Sequence, residues 1–125
     1  MILKSGEEKR REEEATVQEF KWLGSPEEAL QGEGKVYLTT HRLIMERESE
    51  GKKVKVFEFP LKAVQRVMTK GLFSKILSLE VNLSQVESDV KKMSPSEKKG
   101  FGTLQMKVSD PKAWASEIGF RSRKE

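Results

Sequence analysis

The sequence predicts a mainly β domain: about seven antiparallel strands in a two-sheet sandwich, closed at one end by a single C-terminal helix. Three observations predict it. Apolar and polar residues alternate along short runs, most clearly Leu77, Leu79, Val81 and Leu83 against Ser78, Glu80 and Asn82. Turn signals such as Gly24-Ser25-Pro26 and Glu50-Gly51 separate these runs. Only near the end does a helical spacing take over, with Trp114 and Ile118 four apart.

Residues 1–14 are a charge run with little to bury, which predicts a flexible, frayed or loosely helical start. Val17 to Leu23 sets Phe20 and Trp22 on one side and Glu19 and Lys21 on the other, a strand that Gly24-Ser25-Pro26 stops. Lys35 to Thr40 and Arg42 to Glu48 form a hairpin about Thr40-His41, and a turn at Glu50-Gly51 leads into Val54 to Phe59. There the apolar set moves from Val54 and Val56 to Phe57 and Phe59, a slip of one residue that calls for a bulge or a change of sheet.

After Pro60, Leu61 to Met68 reads as an edge strand, and Leu77 to Leu83 is the clearest strand of all. Residues 84–100 are a polar loop with no element of their own, long enough to suggest disorder or function. Leu104, Met106 and Val108 line a last strand. Asp110-Pro111 then opens a helix as N-cap and first-turn proline, Trp114 and Ile118 anchor it, and Gly119 supplies its stop. Strands in succession followed by one helix plugging an open end are the layout of the pleckstrin-homology-like superfold. The expected domain spans residues 15–120, with residues 121–125 a charged tail.

Composition narrows the chemistry. With no cysteine there is no disulfide, thiolate metal site or cysteine nucleophile, and a reducing, cytoplasmic setting is expected. No apolar run approaches the roughly 18 residues of a membrane span. Charged residues are 35% of the chain and mostly Lys and Glu, the bias of heat-adapted proteins. The net charge of +4 is unevenly spread. Residues 15–34 set four glutamates against Lys21, whereas residues 60–79 hold Lys62, Arg66, Lys70 and Lys75 with no acid. Residues 91–99 add Lys91, Lys92, Lys98 and Lys99 against Glu97. A basic edge facing an anionic partner fits this pattern, as does an ordinary lysine-rich surface.

His41, the lone histidine, has no evident second acid–base group or set of metal ligands, so a hydrogen bond to the turn backbone is its simplest role. Arg42 reads as pairing with an acidic neighbour. No cofactor or metal is expected. Phe57 and Phe59 beside Lys55 come nearest to a base-stacking stripe, but Glu58 interrupts it, and no nucleic acid is expected.

Leu38 to Ile44, Leu-Thr-Thr-His-Arg-Leu-Ile, follows a glycine and an extended apolar run. It resembles the signature hairpin of GRAM domains and is more similar to that of the GLUE domain of an ESCRT-II subunit. The acidic pair Glu27-Glu28, the loop Gly71-Leu72-Phe73-Ser74-Lys75 and the closing strand and helix fall in step with the GLUE pattern. The chain departs from it where Met45 stands in place of a frequent Trp, and it lacks the zinc-finger inserts of some relatives. The resemblance implies a non-catalytic adaptor, peripheral at membranes, that binds ubiquitin or a ubiquitin-like protein and also anionic phospholipid. In a longer chain other ESCRT subunits are implied partners.

The candidate protein-binding residues are Leu72, Phe73, Ile76, Glu117 and Phe120; those for anionic lipid are Arg66, Lys70, Lys75, Lys91 and Lys92. Leu72 and Phe73 either stand out beside the lysines as a docking pair or fold back over the open end of the sandwich. The acidic segment between the first two strands argues against the usual phosphoinositide pocket, where several cations converge. A GRAM-like or bacterial-type domain of the same superfold, acting on anionic lipid or as a scaffold, is the alternative.

Overall fold

The computed structural model describes residues 2–22, 25–70, 75–90 and 100–122, with side chains for all but Trp22, Ser25, Arg121 and Ser122. Its elements are β1 (Lys9–Trp22), β2 (Ser25–Pro26), β3 (Gly32–Thr39), β4 (Arg42–Ser49), β5 (Lys52–Pro60), β6 (Val64–Lys70), β7 (Ile76–Asn82), β8 (Phe101–Lys107) and α1 (Pro111–Ser122). All pairings are antiparallel in the order β5-β4-β3-β1-β8-β7-β6, with the short β2 folding back on the end of β1.

β1 belongs to both halves of the sandwich. Lys9 to Val17 pair with β3, Thr16 to Trp22 pair with β8, and only Thr16 and Val17 pair with both of these strands. The chain therefore turns the corner between two half-sheets inside one strand, with a register shift at Val17/Glu19 where the direction changes. Between the halves lies one apolar core. Phe57 stacks on Phe59 at 5.6 Å, and Phe20 reaches Phe57 at 6.2 Å from the other half-sheet. Trp114 and Ile118 of α1 are buried in that same core and plug its open side.

The slip of face within β5 is a bulge. Met45 pairs with Phe57 and Glu46 with Lys55, so Val56 is the extra residue; Val56, Phe57 and Phe59 all end in the core. Met45, at the position where the signature hairpin often has Trp, is fully buried beneath them.

Four sequence expectations are corrected. The frayed or helical start expected through residue 14 is a strand from Lys9 onward. Its charges are supported on both faces: Glu12 meets Lys9 and Lys35 outside, while Arg11 lies over the Trp114 ring and Glu13 receives the Trp114 indole inside. The edge strand expected at Leu61 to Met68 begins and ends later. Leu61–Ala63 is a 3₁₀ turn fastened by the Leu61 N–H to the His41 carbonyl at 2.9 Å.

Gly119 does not stop the helix, which continues to Ser122. Gly119 is not among the glycines at positive φ, so the left-handed turn that would end the helix is absent. The start follows expectation, with Asp110 Oδ1 accepting the Ala113 N–H at 3.2 Å. Within residues 84–100, finally, the described part has structure. Leu83–Gln85 is a 3₁₀ turn, and Glu87 exchanges two 2.8 Å backbone hydrogen bonds with Glu58, which hems the outer edge of β5.

Candidate functional site

The signature hairpin serves the fold. The Thr39 hydroxyl accepts the backbone N–H groups of His41 and Arg42 at 3.1 and 3.0 Å, closing the two-residue turn, and itself donates to Glu7. Arg42 holds Glu7 through Nε at 2.8 Å and Nη2 at 3.0 Å and reaches Glu58 through Nη1 at 2.9 Å. The N-terminal segment is thereby latched across β3 and β4, since the Glu8 N–H also donates to the Thr40 hydroxyl. Burial works to raise the Glu7 carboxyl, but the hydrogen bonds from Arg42, Thr39 and the Lys4 N–H outweigh it and hold it at about 2. The pairing raises the Arg42 guanidinium in turn.

His41 is exposed, and its Nδ1 lies 2.7 Å from the Thr40 hydroxyl, so the partner is a side chain rather than the turn backbone. It shares a groove of about 470 Å³ with Ser5, Glu7, Glu58 and Glu87, the residue types a hydrolytic site would need. Glu7 and Glu58 are both spent on Arg42, and the histidine's hydrogen bond goes to Thr40, so no base–orienter relay is built there. Phe57 and Phe59 lie in the core and offer no stacking surface to a base.

The exposed chemistry gathers on the outer face of β6, β7 and β8. Leu77 and Leu79 point into the core, which puts their cross-strand neighbours Thr69 and Val67 on the same inner side. The other β6 side chains, Arg66, Met68 and Lys70, stand outward opposite Glu80, Ser78 and Ile76. Lys107 lies beside Ile76 from β8, making a row Lys70–Ile76–Lys107. Met68, 42% exposed, sits above the buried Ser78 and between the two flanking cations. Across this face three cations stand against the single carboxylate of Glu80. Among the described residues, β6 pairs with β7 alone, so this is where the sheet ends.

Of the residues singled out in the sequence, the structure brings Arg66, Lys70 and Ile76 together on this face. Lys75 sits at the entry to β7 with a positive φ of 53°, its carbonyl accepting the Val108 N–H, in a groove that it shares with Lys107 and with Glu13, Glu14 and Glu33. It therefore belongs to more acidic surroundings than Arg66. Glu117 pairs with Arg10 of β1 at 2.9 Å, and Phe120, near the end of α1, is 55% exposed. Leu72, Phe73, Lys91 and Lys92 lie outside the described residues. Met68 and Lys107 were missed, although the alternation Arg66-x-Met68-x-Lys70 carried the signal for Met68.

No protein-family sequence model matches the chain, and no curated protein matches it. Solved structures do. The chain is similar to the linker-DH/PH domains of p115-RhoGEF (TM-score 0.59, 9% identity, 97% of this chain and 30% of that one). It is similar to the Vps36 N-terminal PH domain (0.58, 16%, 98% and 84%) and to the DH/PH domains of PDZ-RhoGEF in complex with GTP-γ-S-activated RhoA (0.59, 12%, 94% and 30%). The chain thus spans about a third of each RhoGEF chain and most of the Vps36 domain.

The fold is pleckstrin-homology-like: a seven-stranded antiparallel sandwich with one C-terminal helix. Domains of this fold are generally non-catalytic binding modules. Among the described residues, no helix is long and apolar enough to cross a membrane.

Proposed function

We propose that the chain is a non-catalytic adaptor domain of the GLUE type that binds ubiquitin or a ubiquitin-like protein along the β6–β7 edge and the outer end of α1. One observation carries this reading. The edge strand β6 and its neighbour β7 present the exposed Met68 and the half-buried Ile76, respectively, within a cationic rim, and α1, which bears the exposed Phe120, packs against β6 and β7. Leu72 and Phe73 follow Gly71 after β6 in sequence and are included among the proposed binding residues, as is Glu117, whose carboxylate pairs with Arg10. Likeness in fold to the Vps36 N-terminal PH domain supports an ESCRT-type setting with further subunits as partners. So small an apolar patch gives micromolar affinity at best.

Titrating the ¹⁵N-labelled domain with ubiquitin tests the proposal. Shifts clustered on residues 64–70, 76 and 117–120, lost on Phe73→Ala or Phe120→Ala, are expected. A flat response at millimolar ubiquitin overturns it.

The Lys70–Ile76–Lys107 row with Arg66 favours a second reading, weak attachment to anionic phospholipid, extended in sequence by Lys91 and Lys92. Each such cation is worth about 1 kcal/mol at an anionic surface, so binding should collapse with salt. Sedimentation with phosphatidylserine vesicles, and its loss on Lys70→Glu with Lys75→Glu, is the corresponding test.

A further inference from the structure

The sandwich ends in two strands, and the two edges are treated differently. β5 is hemmed by the Glu87–Asp89 segment, with Glu58 and Glu87 exchanging backbone bonds and the Asp89 N–H donating to the Lys55 carbonyl. No described segment does this for β6: Arg66, Met68 and Lys70 are exposed on its outer face, while Val67 on its inner face packs on the core and α1 lies against the strand. An open edge carries a row of backbone donors and acceptors that an extended chain can pair with.

Charge decides which chain fits. β6 carries Arg66 and Lys70 and no acid, and Lys62 precedes it. A second copy's β6 would bring Arg66 and Lys70 against their like. Residues 91–99 hold four lysines and one glutamate, and residues 121–125 hold three cations and one glutamate, so neither segment of this chain suits the edge. What suits it is an acidic strand from another protein.

The register sharpens the match. Arg66, Met68 and Lys70 alternate on one face, so a strand laid beside β6 places its own alternate residues about 5 Å from each of them. Opposite charge faces Arg66 and Lys70, and an apolar side chain meets Met68. The intervening residues lie on the side of Val67 and Thr69, where β-branched side chains pack well on a pleated surface.

We infer that β6 is a docking edge for an extended acidic peptide of the pattern acid-x-apolar-x-acid, which joins the sheet as an added strand. This inference rests on reading the β6 edge as a protein-docking surface and not on ubiquitin being the partner.

The test is a titration of the ¹⁵N-labelled full chain with the capped peptide Gly-Ser-Asp-Thr-Leu-Thr-Glu-Gly-Ser. Saturable shifts on the amides of residues 64–70 are expected, together with slowed exchange of those amides. The double variant Arg66→Glu, Lys70→Glu should bind this peptide about tenfold more weakly and should take up the Lys-Thr-Leu-Thr-Lys counterpart instead. Unchanged β8 and α1 resonances in that variant establish that it is folded. Equal binding of the lysine peptide to the unaltered chain, or shifts confined to other strands, overturns the inference. A peptide that binds where ubiquitin does not supports it; a silent peptide beside a ubiquitin response overturns it while leaving the adaptor reading in place.

Discussion

The guanidinium of Arg42 grips the carboxylate of Glu7 in two places, Nε to Oε2 at 2.8 Å and Nη2 to Oε1 at 3.0 Å, across 35 residues of sequence. The Glu7 side chain is 1% exposed and that of Arg42 11%. A fork-to-fork pair so far from water joins the N-terminal segment to the hairpin, and removing one partner leaves a buried charge without its counterion.

Glu7→Gln is therefore expected to destabilise the fold by about 2 to 3 kcal/mol, with Glu58 left to hold Arg42. The loss should depend on pH. The folded carboxyl at about 2 lies below its ordinary 4.5, so the contribution is complete above 4.5 and lost as pH falls toward 2. Urea unfolding between pH 7 and pH 2 should show the unaltered chain losing about 3 kcal/mol through this group, while Glu7→Gln lacks that component.

Thr39→Val should be costly where Thr40→Val is mild. The Thr39 hydroxyl accepts two turn N–H groups and donates to Glu7, at a position with no exposure. Leaving those donors unsatisfied costs about 2 kcal/mol, and Thr39→Ser should restore most of it. Thermal unfolding of the three variants checks the order.

Glu13 is the joint between β1 and the helix. Its carboxylate accepts from the Trp114 indole at 2.6 Å and from the Ser109 N–H and hydroxyl at 3.0 and 3.1 Å. Glu13→Ala should cost about 2 kcal/mol and move the Trp114 indole N–H resonance, with β4 and β5 shifts unchanged.

Gly119→Ala is expected to stabilise the protein by about 0.5 to 1 kcal/mol, since the position is helical and an added methyl meets nothing within 4 Å. A drop in melting temperature would mean that the helix ends at Gly119 after all.

Much of the architecture could be read from one sequence because it lies in period and punctuation. Leu77 to Leu83 alternate cleanly, Glu50 and Gly51 both adopt the positive φ that a tight hairpin turn requires, and the slipped apolar pattern of β5 is the bulge at Val56. What stayed hidden depends on residues far apart. Lys9 to Glu14 looked like a solvated charge run because their supports, Lys35, Ser109, Trp114 and Glu117, arrive from three other places in the chain. Arg42 could be read as paired with an acid, but Glu7 lies in the segment expected to be frayed. The candidate edge was half legible: Arg66, Lys70 and Ile76 stood out, while Lys107 joins them only through the β7–β8 register.

The division of β1 between two half-sheets also sets an order of events during synthesis. Its partner β3 leaves the ribosome soon after it, so the strands from β1 to β5 can zip together from neighbours. The second half of β1 must wait for Phe101–Lys107, far later in the sequence than β3, and β6 and β7 wait with it. A chain truncated after Asn82 should accordingly retain a hairpin-rich N-terminal half but leave the β6–β7 hairpin unattached and prone to aggregation, since β8, which joins that hairpin to β1, is missing.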